Sequence, residues 1–178
     1  MQYLNDKGFV LRRINFGESD RFITLFTENS GKVEVIAKGV RKITSRRASS
    51  VEPLNLIEFQ AVKSSKNFIL TEVKLLDSFE GLKYKLLDMQ KVFLMCELVH
   101  TLSAYDQKHY EVFKLMHDTL CKIQEDESDE YLNSFQTELL FLLGFWDKKN
   151  DFRDEVQLTR FIENIIEKKI KTKSYFKI

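Results

Sequence analysis

A chain of 178 residues, 43% of them hydrophobic, is long enough to bury one ordinary core or two small ones. Its single proline, six glycines and 31% charged residues exclude a collagen-like or low-complexity chain. No apolar run approaches the roughly 18 residues of a membrane span. Residues 1–7 lack the basic-then-apolar layout of a signal peptide, and the two cysteines fit no disulfide framework. We therefore expect a cytoplasmic protein.

The first 77 residues show the short alternating segments that are typical of β-strands. Residues 17–20 and 29–31 carry the polar and glycine residues that turn a chain. Five strands are predicted, over residues 9–14, 22–26, 32–38, 54–62 and 68–76. In the third, Val33, Val35 and Ala37 should share one face. Five short strands without long helices between them predict a small barrel, either of the oligonucleotide-binding fold or SH3-like.

From Ser78 onward the apolar residues recur at helical spacing. Helices are predicted over residues 86–100, 110–120, 128–143 and 156–171, with Ser128 or Asp129 capping the third and Gly144 ending it. The first two should pack antiparallel, folding back at Tyr105 and Asp106. The predicted fold class is α+β. A five-stranded barrel domain of residues 1–78 precedes a helical domain of residues 79–178.

Positive charge is concentrated in one short segment. The net charge is only +1, yet five cations and no acid occur in residues 38–47: Lys38, Arg41, Lys42, Arg46 and Arg47. Lysine and arginine neutralise phosphates whatever the base, so this segment, together with Lys32, is the best candidate for a DNA-binding site. Arg21, Lys63 and Lys66 could extend it. The alternative is an ordinary solvated loop. In both interpretations the segment is exposed, and substitutions there should change stability little.

Several short strings resemble, in order and spacing, the RecO family of recombination mediators. They are Gly17-Glu18-Ser19-Asp20, Leu25-Phe26-Thr27, Gly31-Lys32, Ala37-Lys38-Gly39-Val40-Arg41-Lys42, Ser45-Arg46-Arg47, Pro53, Phe135-Gln136-Thr137-Glu138-Leu139-Leu140, Gly144-Phe145 and Lys171-Thr172-Lys173-Ser174. The resemblance implies an oligonucleotide-binding barrel, a helical domain, and binding to single- and double-stranded DNA in repair and recombination. It also implies annealing of complementary strands, assistance to RecA loading, and two partners, RecR and the acidic tail of single-strand-binding protein.

The chain departs from this family at one place. Many relatives carry a cysteine-rich zinc module after the helix of residues 135–140. Here residues 145–150 run directly into the last predicted helix. The helical domain is therefore predicted to be shortened and to lack that module.

A second cationic segment accompanies aromatic residues in the helical half. Lys148, Lys149, Arg153 and Arg160 lie near Phe145, Trp146 and Phe161, a combination that could receive an acidic peptide with an apolar end. The alternative function is therefore a protein-interaction adaptor, which recruits single-strand-binding protein through its helices and keeps the barrel as a structural element. An ordinary helix surface is the simpler interpretation.

Metal binding and catalysis have little support in the sequence. Cys96 with His100, and His117 with Cys121, have the i, i+4 spacing of ligand pairs. Antiparallel helices would nonetheless separate His100 from Cys121 by about 15 Å along their axes. The chain contains no P-loop, GxGxxG or GxSxG motif. We expect neither metal nor cofactor, and no enzyme activity.

Overall fold

The computed structural model describes residues 2–126, 128, 130–149 and 151–176, with side chains described up to residue 173. Asp129, one of two predicted caps, and Asn150 lie outside the described residues. None of the helices described has the length and apolar character needed to cross a bilayer. The chain divides into two compact units, one of residues 1–79 with 104–110 and one of residues 80–103 with 111–178.

The first unit is a closed barrel of five strands, as predicted. They are β1 (Tyr3–Phe16), β2 (Asp20–Thr27), β3 (Gly31–Ala37), β4 (Leu56–Ser64) and β5 (Asn67–Asp77). Their order around the barrel is β1-β2-β3-β5-β4, and β1 closes the barrel against β4. All neighbours are antiparallel except β3 and β5, which are parallel. The contact between β3 and β5 is short, with Val35 opposite Phe68 and Ile36 opposite Ile69, so most of β5 is paired along its β4 edge alone among the described strands.

Strand β1 is longer than the sequence predicted. Its first half pairs with β4, from Tyr3 opposite Val62 to Phe9 opposite Leu56, and its second half pairs with β2. The pairing shifts at a bulge near Val10. The first half is not visible in the apolar pattern because several of its side chains are polar, and backbone pairing on the barrel does not require an apolar residue at each position.

The barrel core follows the alternation of the strands. Val33, Val35 and Ala37 of β3 all belong to it, as predicted. The other core residues are Val10, Ile23, Leu25, Val40, Val51, Ile57, Phe59, Ala61 and Leu70. Val40 and Val51 come from the long connection between β3 and β4 and are fully buried. That connection is therefore packed onto the barrel rather than free in solvent.

A segment distant in sequence, residues 104–110, also belongs to the barrel unit. The backbone of Tyr105 forms a parallel bridge with Lys32, and the Asp106 N–H donates to the Lys32 carbonyl at 3.0 Å. Gly31 has a φ of +72°, and a Cβ there would lie 2.0 Å from the Gln107 carbonyl oxygen. The predicted division leaves this segment in the helical domain, because no pattern in the sequence indicates the association.

The second unit contains six helices among the residues described. They are α1 (Gly81–Tyr84), α2 (Leu86–Leu102), α3 (Tyr110–Glu125), α4 (Glu130–Leu142), α5 (Glu155–Ile166) and α6 (Lys171–Phe176). The main contacts of α2 are with α1, α4 and α6. The predicted antiparallel packing of residues 86–100 against 110–120 is therefore not the principal contact of α2. Long apolar helices offer several possible faces, and periodicity alone does not select the partner.

The predicted helix over residues 156–171 ends early: α5 stops at Ile166, and a new helix, α6, begins only at Lys171. Glu167 has a φ of 54°, a left-handed conformation that ends α5. The side chain of Glu97 accepts hydrogen bonds from the Lys171 and Thr172 N–H groups, at 2.8 Å each, at the start of α6. A carboxylate from a distant helix thus supplies the cap that permits a new helix to begin.

Candidate nucleic-acid interface

The basic loop, defined as residues 38–47, follows β3 and opens the connection to β4. Gly39, near its start, has a φ of +65°, a conformation that a β-branched side chain would resist. Val40 then turns into the barrel core and is fully buried. The loop is consequently held at its first residues by packing, which limits how far the following cations can move.

Hydrogen bonds join the basic loop to the turn between β1 and β2. The Asp20 carboxylate accepts from the Gly39 N–H at 2.7 Å, and the Ser19 carbonyl accepts from the Arg41 N–H at 2.9 Å. The Arg41 guanidinium donates to the Gly17 carbonyl at 3.1 Å. Two of the strings that carry the family resemblance, residues 17–20 and 37–42, therefore contact each other directly.

Arg47 anchors the far end of the loop. Its guanidinium donates to the carbonyl oxygens of Lys38 at 2.9 Å, Leu70 at 3.1 Å and Thr71 at 3.4 Å. For this residue the hydrogen bonds argue against the expectation that substitutions throughout residues 38–47 barely affect stability. The N–H groups of its guanidinium tie the loop to β5. Removing the side chain therefore leaves three carbonyl oxygens without their shared donor.

The side chains of three loop cations face solvent without an internal partner. Those of Lys38, Lys42 and Arg46 are exposed and, within the part of the chain that the structure describes, make no hydrogen bond or ion pair. Arg41 is also exposed, although one of its nitrogens donates to Gly17. Ile43, between them, is fully exposed. The arrangement presents at least four positive charges on one anchored loop.

Lys32 is on β3 and does not belong to the exposed cations of the basic loop. Only 4% of its surface is exposed, and its ammonium is 4.3 Å from the centre of the Tyr105 ring. It stabilises the contact between β3 and residues 104–110, and we leave it out of the proposed interface. Its burial could not be predicted from the sequence, because the residue that covers it is distant along the chain.

The predicted extensions of the basic loop differ in their surroundings. Arg21 is half-buried and forms an ion pair with Glu52 at 3.2 Å, and Arg13 pairs with the same carboxylate at 2.8 Å. Lys63 lies over the Phe68 ring at 4.5 Å. Lys66 is exposed in the β4–β5 turn. Of these, Lys66 is the cation most available to a phosphate.

A small aromatic and apolar group near the loop was not selected from the sequence. Ile14 and Phe16 of β1 are 42% and 47% exposed, and the ring of Phe16 lies 4.6 Å from the ring of Phe22, centre to centre. Phenylalanines in a strand usually belong to a core, so nothing in their residue type distinguishes them. The one signal that could have found them is their position beside the turn at Gly17.

The helical unit contains an open cleft of about 710 Å³ between α4 and α5. It is lined by Phe141, Gly144, Phe145, Trp146, Asp147, Asp151, Phe152, Gln157 and Phe161. Three of its rings form a chain, with Phe152 at 5.1 Å from Trp146 and 5.3 Å from Phe161. This places the predicted aromatic residues together in a recess large enough for one or two side chains of a ligand.

None of the four predicted cations is among the described residues that line this cleft, and Arg160 lines a separate recess with Val156 and Lys173. Lys148 pairs with Glu138 at 2.7 Å and lies 3.8 Å above the Phe141 ring. Lys149 pairs with Asp147 at 3.1 Å, and hydrogen bonds from Lys149 lower the pKa of that carboxyl. Arg153 and Arg160 are exposed. Asp147 and Asp151 line the cleft, so its charge is mixed rather than uniformly positive.

The two cysteines, with His100 and His117, lie on α2 and α3, and His109 lies in the segment before α3. Cys96 lies on α2 and is buried, and burial raises the pKa of its thiol to about 12. Cys121 Sγ lies 4.0 Å from His117 Nδ1, one turn away on α3. In residues 2–126, 128, 130–149 and 151–173, no group of three or more potential metal ligands comes together. The expectation of a metal-free protein stays a prediction.

The barrel is of the oligonucleotide-binding class, with five strands in the order β1-β2-β3-β5-β4 and an anchored cationic loop beside the first turn. Residues 1–79 match the family model described as Recombination protein O N terminal. This match, with those that follow, confirms the resemblance to the RecO family that the short strings predicted.

Curated relatives extend the match beyond the barrel. A DNA repair protein RecO of Syntrophobacter fumaroxidans is 31% identical over 148 residues, covering 83% of this chain and 57% of the relative. The proteins of the same name from Rubrobacter xylanophilus and Symbiobacterium thermophilum are each 30% identical over 147 residues, covering 82% of this chain and 59% and 58% of the relatives. The chain thus spans less than three fifths of the length of these relatives.

Proposed function

We propose that this chain binds DNA through the basic loop and acts in DNA repair and recombination. The observation that carries the proposal is that the side chains of Lys38, Lys42 and Arg46 are exposed and have no partner among the described residues, on a loop whose two ends are fixed to the barrel. A fixed loop loses little conformational freedom when it contacts a phosphate backbone. The family match supports the same function, since the relatives are named DNA repair proteins.

The chemistry of the loop favours binding that is independent of base sequence. Lysine and arginine release counterions from the phosphate backbone, and this contribution needs no contact with a base edge. A protein that acts wherever DNA is damaged requires this property. In line with the family resemblance, we extend the proposal to both single- and double-stranded DNA, to annealing of complementary strands, and to assistance in RecA loading together with RecR.

A salt titration tests the DNA-binding site. The triple variant Lys38→Glu, Lys42→Glu and Arg46→Glu should bind single-stranded DNA more weakly. The slope of log affinity against log salt should be shallower by roughly 2, at about 0.7 for each of three lost phosphate contacts. The loss should be similar on oligonucleotides of different sequence. This set avoids Arg41 and Arg47, whose guanidinium groups hold the loop in place.

A matched control keeps the charge change and moves it away from the loop. Lys7→Glu, Lys114→Glu and Lys122→Glu reverse three other exposed lysines and give the same net charge. This variant should keep nearly the wild-type slope. An equal slope change in both triple variants, each folded by circular dichroism, would mean that the basic loop is not the binding site.

The aromatic cleft supports a second candidate function, the recruitment of single-strand-binding protein. Its linked rings offer a contact surface for an apolar terminal side chain, and Arg153 and Arg160 are exposed cations of the same unit. Calorimetry on the full chain should detect the acidic tail peptide of single-strand-binding protein. Binding should be lost when the terminal apolar residue is removed, and weakened in Phe161→Ala. Equal heats for the intact and truncated peptides would contradict this role.

A further inference from the structure

We propose that Phe16 is a base-stacking residue for single-stranded DNA, supported by Phe22 and Ile14. The inference rests on the proposed DNA binding at the basic loop and adds the chemical group recognised there, the flat face of an unpaired base. The three residues form what we call the hairpin patch, on the outside of the barrel.

Strand register places the hairpin patch on the outer face. Ile23 and Leu25 of β2 belong to the interior core, so Phe22, the residue before Ile23, points outward. Ile14 lies directly opposite Phe22, and Phe16, two residues further along β1, lies opposite Asp20. Residues directly opposite on paired antiparallel strands share a face. Phe16 is therefore carried on the barrel exterior at the end of the β1–β2 hairpin.

The exposure of Phe16 lacks a structural explanation within the barrel. Its surface is 47% exposed, and its described ring contact is with Phe22 alone, at 4.6 Å and a tilt of 56°. Phe22 is half-buried and holds one side of the Phe16 ring. A large aromatic ring supported on one side and open on the other is a surface on which a base can stack, since each of the four bases has a π-face.

Charge beside the patch identifies the ligand as a polyanion with flat apolar groups. The carbonyl of Gly17, the next residue after Phe16, accepts from the Arg41 guanidinium at 3.1 Å. Arg21 of β2 pairs with Ala37 of β3, so Lys38 follows that pair along the same end of the sheet, near Asp20. Phosphate contacts by the basic loop would therefore hold a single strand with its bases near the hairpin patch. A duplex offers the same phosphates but keeps its bases stacked inside.

The test compares three probes at one ionic strength. These are an oligo-dT of about 16 nucleotides, the upper site size of such a fold, an abasic single strand of the same length, and a duplex. Phe16→Leu should bind oligo-dT about tenfold more weakly than the wild type, because the stacking of one base is lost. It should bind the abasic strand and the duplex as the wild type does. Phe16→Tyr should restore the affinity for oligo-dT.

The wild type provides a measurement that does not depend on how a variant folds. Wild-type protein should bind oligo-dT about tenfold more tightly than the abasic strand. Equal affinity for the two strands would overturn the stacking role and leave phosphate binding intact. Absence of binding to either strand would overturn the proposed function as well. Tyr3→Leu, at the other end of β1 and 62% exposed, is the matched aromatic control and should bind all three probes normally.

Discussion

The carboxylate of Asp20 accepts a hydrogen bond of 2.7 Å from the backbone N–H of Gly39. The contact joins the turn after β1 to the first residues of the basic loop, and it explains why an acid is present beside a cluster of cations. The carboxylate serves a backbone donor and so fixes the chain rather than neutralising a lysine.

Removing this carboxylate should weaken both stability and DNA binding. We expect Asp20→Ala to lower the free energy of unfolding by about 1–2 kcal/mol, because a half-buried N–H loses its charged acceptor. Simple electrostatics predicts stronger DNA binding after the loss of a negative charge. Loss of the loop anchor predicts weaker binding, and this is the result we expect in a filter or fluorescence assay. Asp20→Asn, which keeps an oxygen acceptor, should stay close to the wild type in stability.

Neighbouring arginines of the basic loop should differ in their effects. Arg47→Ala should cost about 1–2 kcal/mol of stability in urea denaturation, because three carbonyl oxygens lose a shared donor. Arg46→Ala should change stability by less than about 0.5 kcal/mol, as an exposed side chain without a partner in the described structure. Arg46→Ala should also weaken DNA binding, by the amount expected for the loss of one phosphate contact. Similar stabilities for the two variants would contradict the anchoring role of Arg47.

Two glycines with a positive φ angle provide a test of how residues 104–110 pack on the barrel. Gly31 and Gly17 have φ angles of +72° and +57°, but a Cβ at Gly31 would lie 2.0 Å from the Gln107 backbone, whereas a Cβ at Gly17 would meet no described atom within 4 Å. Gly17→Ala should cost about 1 kcal/mol for its left-handed backbone. Gly31→Ala should cost clearly more, because residues 104–110 must also move. Equal melting temperatures for the two variants would contradict this packing.

The two cysteines should react at very different rates. Cys96 is 2% exposed, and burial raises the pKa of its thiol to about 12, so that it stays protonated and shielded near neutral pH. Cys121 is only half-buried. A chromogenic disulfide reagent at about pH 8 should therefore modify one thiol of the folded chain quickly and the second only in denaturant. Cys121→Ser should abolish the fast phase. Fast modification of both thiols in the folded wild type would contradict this prediction.

The sequence by itself determined the five strands, the change to helical period near residue 78 and the interior face of β3, because these depend on local periodicity. It also located the basic loop, since a run of cations without acids is visible in any ten-residue window. The short strings of the family resemblance predicted the same family that the matches to known proteins indicate.

Only the tertiary structure decided which cations of that loop are available. Arg46 and Arg47 are adjacent in the sequence, yet Arg47 donates to carbonyls of β5 while the side chain of Arg46 is exposed. Lys32 is covered by Tyr105, more than seventy residues away. Phe16 resembles a core residue in sequence and becomes a surface ring because the register of β1 against β2 turns it outward. Local pattern fixes which residues form a strand, whereas exposure depends on contacts between segments that are distant along the chain.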